Sequence, residues 1–138
     1  MLKKSALKNT VKMSQDVVAD ALNMMKNTKK TGKEITKVNR TSKLLIEILK
    51  IMKQKGAVKK YKIDLKNKFI EISLGDFIEC KAIKPRFTVK KDQIEKYKRR
   101  YLPARDIGTI IISTNKGLIT HEEALEEGMG GSLIAYFY

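Results

Sequence analysis

Few residues of this 138-residue chain have side chains that commonly carry out catalysis. His121 is the only histidine, and it stands at the start of a predicted helix beside Glu122 and Glu123. A histidine in this position is expected to lie in a solvated helix cap, and a general base is not predicted. Glu126 and Glu127 extend the acidic face without a partner at ligand spacing, which predicts a solvated face. No catalytic group, metal site or cofactor is therefore predicted.

The remaining candidates for enzyme chemistry are equally weak. Cys80 is the only cysteine, so an internal disulfide is excluded, and no Cys or His accompanies it at metal-ligand spacing. The glycine-rich residues 128–131 precede a predicted strand, whereas a dinucleotide fingerprint opens a helix. They also lack the Gly-Lys-Ser/Thr ending of a Walker loop. The sequence favours a reducing compartment and predicts no small-molecule substrate.

Two short polar segments have side chains suited to hydrogen bonding with a ligand. The first follows an apolar run directly and comprises Ser113, Thr114, Asn115, Lys116 and Gly117. It exposes hydroxyls, an amide and backbone groups at the rim of a predicted sheet, although a simple turn would explain the same composition. The second comprises Gly130, Gly131 and Ser132. Its small residues are expected to leave room for an unstacked base, which favours RNA binding.

The charge of the chain is large and unevenly distributed. Lys and Arg number 30 against 15 Asp and Glu, a formal net charge of +15 at pH 7. Residues 1–100 hold 28 of the basic and 10 of the acidic side chains, whereas residues 101–138 hold 2 and 5. Phosphates would neutralise such a self-repelling surface, so nucleic acid is the first predicted partner and an anionic membrane the second. Lysines outnumber arginines 25 to 5, which favours phosphate positioning over reading of base edges.

The N-terminal residues 1–12 are basic and contain no acidic side chain. They have too few apolar residues to fold alone, and we expect a flexible extension that lies along RNA or a neighbouring protein. An organellar transit peptide is the alternative, although arginine is absent from this segment. No apolar run in the chain reaches 18 residues, so a transmembrane helix is not expected.

Periodicity predicts the order α-β-α-β-β in the first part of the chain. Apolar residues at three- and four-residue steps predict a helix from Val17 to about Asn27, capped by residues 14–16 and followed by a turn. Thr41 or Ser42 is expected to cap a second helix, whose C-terminal stop is Gly56. The predicted strands are residues 34–38, 58–65 and 69–74. The two helices are expected to cover one sheet.

The second part of the chain predicts mainly β structure. Pro85 changes the chain direction and marks the expected domain boundary. Residues 107–113 are apolar and β-branched, which predicts a central strand buried on both faces. Thr120 and Glu123 predict a capping box for a helix that ends at Gly128. Further predicted elements are a strand at 87–90, a basic helix or turn at 92–101 and a closing strand at 133–138.

The predicted fold class is α+β (mixed α/β), with two small domains after the N-terminal extension. The N-terminal α-β-α-β-β domain is assigned to residues 13–83. The C-terminal domain, residues 84–138, is mainly a β sheet with one short helix.

Several of these segments together resemble the small-ribosomal-subunit protein eight family, called fifteen-a in eukaryotes. The run from Ser113 to Gly117, followed by Glu123-Ala124 and Gly130-Gly131, is similar to the C-terminal signature of that family. The resemblance spans nearly everything after Met13. The archaeal and eukaryotic branch is indicated by two segments, Lys84-Pro85-Arg86-Phe87 and Leu102-Pro103-Ala104-Arg105.

The resemblance implies a non-enzymatic structural constituent of the small ribosomal subunit in the cytoplasm. Such a protein binds the central domain of small-subunit rRNA as a primary binder, supports assembly and translation, and contacts neighbouring small-subunit proteins. Ser113, Thr114 and Asn115 match a Ser-Thr-Ser loop that contacts a distorted RNA helix, and Lys116 and Gly117 complete the motif. Asn115 departs from the usual serine, but an amide also donates and accepts, so we expect the contact to survive.

Other positions are assigned to RNA by the same resemblance. Ser132 stands where bacterial relatives have glutamate after the glycine pair, which leaves that contact open. Lys84 and Arg86 match a basic corner between the domains. In the N-terminal half the matching positions are Lys26, Asn27, Ser42 and Lys43.

Three alternative functions remain at this point. An RNA-binding translational regulator outside the ribosome would share the same charge and motifs. A membrane-surface protein is suggested by the basic amphipathic N-terminus, although no membrane partner is predicted. An enzyme would have to rely on His121 and Glu122.

Overall fold

The computed structural model describes residues 17–84, 86–104 and 106–138. Within those ranges the chain forms four α-helices and eight strands, and the strands make two antiparallel sheets. The predicted mixed α/β class is confirmed. The predicted helix cap at 14–16 and the basic extension at 1–12 lie outside the described residues.

The N-terminal part has the predicted α-β-α-β-β order. Its elements are α1 (Val17–Lys30), β1 (Ile35–Val38), α2 (Lys43–Gln54), β2 (Val58–Asp64) and β3 (Phe69–Leu74). The strands form sheet A in the order β1-β3-β2. Helix α1 continues past Asn27 through part of the expected turn, because Lys29 and Lys30 are good helix formers at the negative end of the helix dipole.

Helix α2 begins and ends where the sequence predicts. The Ser42 hydroxyl accepts a hydrogen bond from the Leu45 backbone N–H at 3.1 Å, which satisfies a free donor of the first turn. Gly56 has a φ of +86°, a conformation that stops the helix and favours glycine. The buried face between these ends is formed by Leu45, Ile48, Leu49, Ile51 and Met52.

The C-terminal part forms a five-stranded sheet, called sheet B here. Its strands are β4 (Cys80–Ala82), β5 (Thr88–Val89), β6 (Thr109–Thr114), β7 (Gly117–Thr120) and β8 (Gly131–Phe137). The order is β4-β8-β6-β7, and β5 also pairs with β8. A short 3₁₀ turn (Lys91–Gln93) leads into α3 (Ile94–Tyr101), and α4 (His121–Glu127) joins β7 to β8.

Strand β6 lies inside sheet B, as its β-branched run predicts, and Ile110, Ile111 and Ile112 are completely buried. Strands β4 and β7 are absent from the sequence prediction. Both strands are short, and β7 begins with Gly117, a residue type that is typical of turns. Pairing across the sheet, rather than local pattern, makes these segments strands.

Sheet B is covered on both faces. One face, with Ile111, Ala135 and Phe137, joins the core formed by sheet A and its helices. The opposite face, with Ile110 and Leu133, packs with residues of α3 and α4. The division at residue 84 stays a prediction, but pairing with β8 assigns residues 80–82 to sheet B.

Cys80 lies at the junction between α1 and sheet B. Its Sγ donates a hydrogen bond to the Leu22 carbonyl at 3.3 Å, and the residue is buried in the core formed by sheet A and its helices. Burial raises the pKa of the thiol to about 12, so the thiol is protonated at neutral pH.

His121 is buried, and the expectation of a solvated histidine is wrong. The side chain is 2% exposed, and its Nδ1 accepts a hydrogen bond from the Ile110 backbone N–H at 3.0 Å. The imidazole therefore links the start of α4 to β6. Burial, which disfavours the charged form, lowers the pKa of His121.

The cap of α4 is present in a modified form. The Thr120 hydroxyl accepts from the Glu123 backbone N–H at 3.2 Å, as a capping box requires. The Glu123 carboxylate lies 3.4 Å from the same hydroxyl, so it does not take the reciprocal backbone donor described for the motif. Gly128, with a φ of +66°, ends the helix as predicted.

Candidate nucleic-acid interface

The predicted loop at residues 113–117 is the tip of the β6–β7 hairpin. The Thr114 hydroxyl donates to the Gly117 carbonyl at 2.9 Å and accepts from the Lys116 backbone N–H at 3.2 Å. Gly117 has a φ of +108°, a conformation that side chains rarely adopt. Thr114 thus holds the turn in place, while Asn115 and Lys116 are exposed.

The end of sheet B carries a row of three hydroxyl side chains on adjacent strands. Ser113 of β6 is the register partner of Ser132 of β8, and Ser132 is also the partner of Thr88 of β5. The Thr88 and Ser132 hydroxyl oxygens are 3.3 Å apart. Register partners share one face of a sheet, so these side chains point to the same side. We call Thr88, Ser132 and Ser113 the hydroxyl row.

The structure therefore brings together the two polar segments that the sequence singles out. Ser113 and Ser132 are neighbours, and the exposed hairpin tip continues from Ser113. Thr88 is absent from the predicted site. A threonine at position 88 does not by itself indicate a binding residue, because only the pairing of β5 with β8 places it beside Ser132.

The two glycines before Ser132 allow neighbouring backbones to approach closely. A Cβ added at Gly131 would lie 2.2 Å from the Ser113 carbonyl oxygen, and one added at Gly130 would lie 2.3 Å from the Val89 carbonyl oxygen. Backbone atoms therefore occupy the space that a Cβ would take at either position. Glycine is needed at both positions for strand packing, and RNA contact at these glycines stays a prediction.

Lysines surround the hydroxyl row. Lys116 is exposed at the hairpin tip, and Lys90 and Lys91 are exposed directly after β5. The Lys91 side chain lies against Gly128, where an added Cβ would be 3.8 Å from Lys91 Nζ. Lys90 and Lys91 are absent from the predicted site, since single lysines in a lysine-rich chain are indistinguishable by sequence. The row is thus bordered by positive charge suited to phosphates.

Lys26 is engaged within the protein. Its Nζ lies 2.7 Å from Glu79 Oε1, and both side chains are partly exposed. Hydrogen bonding to Glu79 raises the pKa of Lys26. A phosphate would therefore have to compete with Glu79 for this ammonium group. The neighbouring Asn27 side chain is exposed, and the Asn27 carbonyl accepts from the Thr31 N–H at 3.2 Å.

Ser42 caps α2, so its hydroxyl has a structural role, while Lys43 is exposed. An open groove of about 450 Å³ lies at this end of the helix, and Arg40, Ser42 and Lys68 are among the residues that line it. Arg40 was not among the predicted RNA-binding residues. The groove carries two cations and the carboxylate of Asp64 beside the helix N-terminus, and the cations are compatible with a phosphate backbone.

Lys84 and Arg86 are both exposed in the connection between β4 and β5. Arg86 lies two residues before Thr88, the residue at which the hydroxyl row begins. The predicted basic corner is therefore next to the row along the chain.

Clusters of metal-ligating side chains and membrane-spanning helices are both absent from the described ranges. No group of three or more His, Cys, Asp or Glu side chains is placed to hold a metal ion there. No helix in residues 17–84, 86–104 and 106–138 is long and apolar enough to cross a bilayer. The four glutamates of α4 are exposed, as expected of a solvated face.

Comparison with known proteins decides the family. The model of the ribosomal protein S8 family matches residues 16–138. The chain belongs to the ribosomal protein S8 family. The small ribosomal subunit protein uS8 of Nanoarchaeum equitans is 45% identical over 129 residues, which cover 91% of this chain and 100% of that protein. The resemblance found in the sequence is confirmed, and the S8 family is a class of ribosomal proteins and not of enzymes.

Proposed function

We propose that this S8 family member is a structural constituent of the small ribosomal subunit in the cytoplasm. In this proposal it binds the central domain of small-subunit rRNA and supports assembly of the particle and translation. The hydroxyl row beside the exposed hairpin tip is the observation that carries the proposal. Family membership supplies the setting, and the charge of the chain agrees with an RNA partner.

The hydroxyl row is suited to recognition of RNA shape. A hydroxyl both donates and accepts, so Ser113, Ser132 and Thr88 can bond to 2′-hydroxyl groups, phosphate oxygens or base edges. The strands that carry them are paired on either side of β8. The row is consequently held in one geometry before RNA binds, which lowers the entropy lost on binding.

Lysines provide the second component of binding. The exposed Lys90, Lys91 and Lys116 border the row, and Arg40, Lys43 and Lys68 extend positive charge over the N-terminal part. Contacts to phosphates supply affinity and position but little sequence information. We infer that the lysines hold the RNA and that the hydroxyl row and Asn115 set the register.

The proposal is tested by removing two hydroxyls of the row. Ser113→Ala with Ser132→Ala should weaken binding to an rRNA fragment from the central domain by about 5- to 100-fold, since each lost hydrogen bond contributes roughly 0.5–1.5 kcal/mol. Binding to a random RNA duplex should change little, because the lysines are intact. Affinities are measured by filter binding or fluorescence anisotropy at one fixed salt concentration.

Ser73→Ala provides the matched control. Ser73 is a half-buried strand serine on β3 in sheet A, away from the row, and its substitution should leave rRNA affinity unchanged. Equal losses on both RNAs in the double variant would contradict recognition by the row. Co-sedimentation with small subunits through a high-salt wash separates a ribosomal constituent from a regulator that acts elsewhere.

A further inference from the structure

Five aromatic rings form a continuous stack outside the hydroxyl row. We call Phe87, Tyr97, Tyr101, Tyr136 and Tyr138 the aromatic strip. Successive ring centroids are 5.9, 6.4, 5.2 and 6.3 Å apart, with interplanar angles of 10° to 30°. Tyr97 and Tyr101 are one turn apart on α3, and Tyr136 and Tyr138 are two residues apart at the end of β8. These spacings place each pair on one face of its element.

The five rings of the aromatic strip are half-buried. All five side chains pack against the core that lies between sheet B and the helices α3 and α4, but they are partly exposed. Among the described residues, none of the tyrosine hydroxyls bonds to another group of the protein. At these centroid distances the near-parallel rings are laterally offset from one another. Partly exposed rings and free tyrosine hydroxyl groups are what the strip offers to a partner.

One end of the strip is cationic. The Arg100 guanidinium lies 5.9 Å from the centroid of Phe87 and 5.6 Å from that of Tyr101. The Lys96 ammonium lies 5.9 Å from the centroid of Tyr97. Both cations are exposed, and stacking on the rings restricts the guanidinium in particular.

The other end of the strip is aliphatic. The Ile78 backbone N–H donates to the Tyr138 carbonyl at 2.7 Å, and the Ile78 side chain is 81% exposed. Gly108 lies against Tyr138, where an added Cβ would be 2.9 Å from the Tyr138 Cβ. Ile107, which precedes that glycine, is 54% exposed. Two large aliphatic side chains are thus exposed on residues whose backbone lies at or next to a contact with Tyr138.

We propose that the aromatic strip binds a segment of a neighbouring protein that presents acidic side chains to Arg100 and Lys96 and aliphatic side chains to Ile78 and Ile107. Tyrosine and arginine are the residues enriched at the centres of protein interfaces. Exposed isoleucines gain free energy from apolar burial and gain nothing from phosphates. RNA is therefore the less suitable occupant, although its phosphates would satisfy the cationic end alone.

This inference rests on the proposed function, because the partner would be another protein of the same small ribosomal subunit. It does not depend on the hydroxyl row. Crosslinking in purified small subunits tests it directly. A photoreactive phenylalanine derivative is introduced at position 78 or 107 in cells that make the variant chain, the salt-washed particles are irradiated, and the crosslinked products are identified by mass spectrometry.

Both positions should crosslink to one segment of a single ribosomal protein, and that segment should contain aliphatic and acidic residues. The same derivative at Ile35 is the matched control, because Ile35 is an exposed isoleucine at the start of β1 in sheet A. Crosslinks to rRNA, or crosslinks no stronger than those of an unirradiated sample, would overturn the proposal. Absence of the chain from the particles would instead contradict the proposed function.

Charge substitutions give an independent measurement. Ile78→Lys with Ile107→Lys, and separately Arg100→Glu, should lower recovery of the crosslinked protein in salt-washed particles by about tenfold, as for loss of interface anchors. Ile35→Lys is the control. All substituted side chains are exposed, so the variants should fold and keep their affinity for the central-domain rRNA fragment. Unchanged recovery in both strip variants would overturn the proposal.

Discussion

Several polar residues that appear available in the sequence have hydrogen-bonding roles inside the fold. Ser42 caps α2, Thr114 closes the β6–β7 turn, Lys26 pairs with Glu79, and His121 accepts from the backbone of β6. Each of these groups bonds to a donor or acceptor of the protein, and for the buried His121 an unpaired donor or acceptor would be costly. Ser113 and Asn115 make no comparable contact among the described residues.

The buried His121 predicts loss of stability in mild acid. Its folded-state pKa is lowered, so below about pH 6.5, the ordinary value, the unfolded chain binds a proton that the folded chain does not. The free energy of unfolding should be fully retained well above that pH and fall as the pH decreases through about 6.5 towards 5. Lys98, Glu122, Lys55 and Glu95 are the charged groups that affect this histidine.

Urea unfolding at several pH values measures the effect. His121→Asn is the appropriate comparison, because the amide oxygen can accept the Ile110 N–H but does not titrate. The pH dependence between 7 and 5 should be clearly smaller in this variant than in the parent chain. Identical pH dependence in both chains would show that another group is responsible.

Ser42 allows a structural role to be separated from a contact with RNA. Ser42→Ala should lower the free energy of unfolding by about 1 kcal/mol, the usual effect of losing an N-cap, and Ser42→Asp should restore stability. The aspartate would also repel a phosphate at this position. A loss of rRNA affinity in the folded aspartate variant would support the predicted RNA contact, whereas unchanged affinity would limit Ser42 to capping.

At the level of elements, the strand contacts at the end of sheet B depend on glycine. Gly131→Ala places a Cβ against the Ser113 carbonyl, a backbone atom that cannot move without separating β6 from β8. Gly117→Ala meets no atom within 4 Å and only has to adopt an unfavourable φ, a strain of about 1–3 kcal/mol. Urea denaturation should therefore show a larger destabilisation for Gly131→Ala than for Gly117→Ala.

The same pair of variants also reports on binding. Gly131→Ala should weaken binding to central-domain rRNA even where the chain is folded, since the hydroxyl row would be displaced. Destabilisation by Gly117→Ala that equals or exceeds that by Gly131→Ala would contradict the close approach of the two strands.

Most elements could be predicted because their signals are local. The cap at Ser42, the stop at Gly56 and the β-branched run of β6 depend on residues a few positions apart. Strands β4 and β7 lack such signals, and they form only because β8 and β6 provide partners. The burial of His121 has the same origin, since β6 supplies the donor that faces its ring.

For the molecule as a whole, the excess of positive charge predicts binding that depends strongly on salt. If about six to ten phosphates are neutralised, the affinity for central-domain rRNA should fall roughly 10³–10⁵-fold between about 50 and 200 mM salt. The Ser113→Ala and Ser132→Ala double variant should show the same slope of affinity against salt at a lower affinity throughout. A complex that is insensitive to salt would contradict the role assigned to the lysines.

The sequence by itself determined the order of most elements, the family and the basic character of the chain, because these depend on periodicity, motifs and composition. Only the tertiary structure decided that Thr88 stands beside Ser132, 44 residues away, and that Phe87 joins the tyrosines of α3 and β8 in one strip. The physical reason is that strand register and packing bring together residues that are far apart in the chain, and no local sequence pattern indicates such a contact.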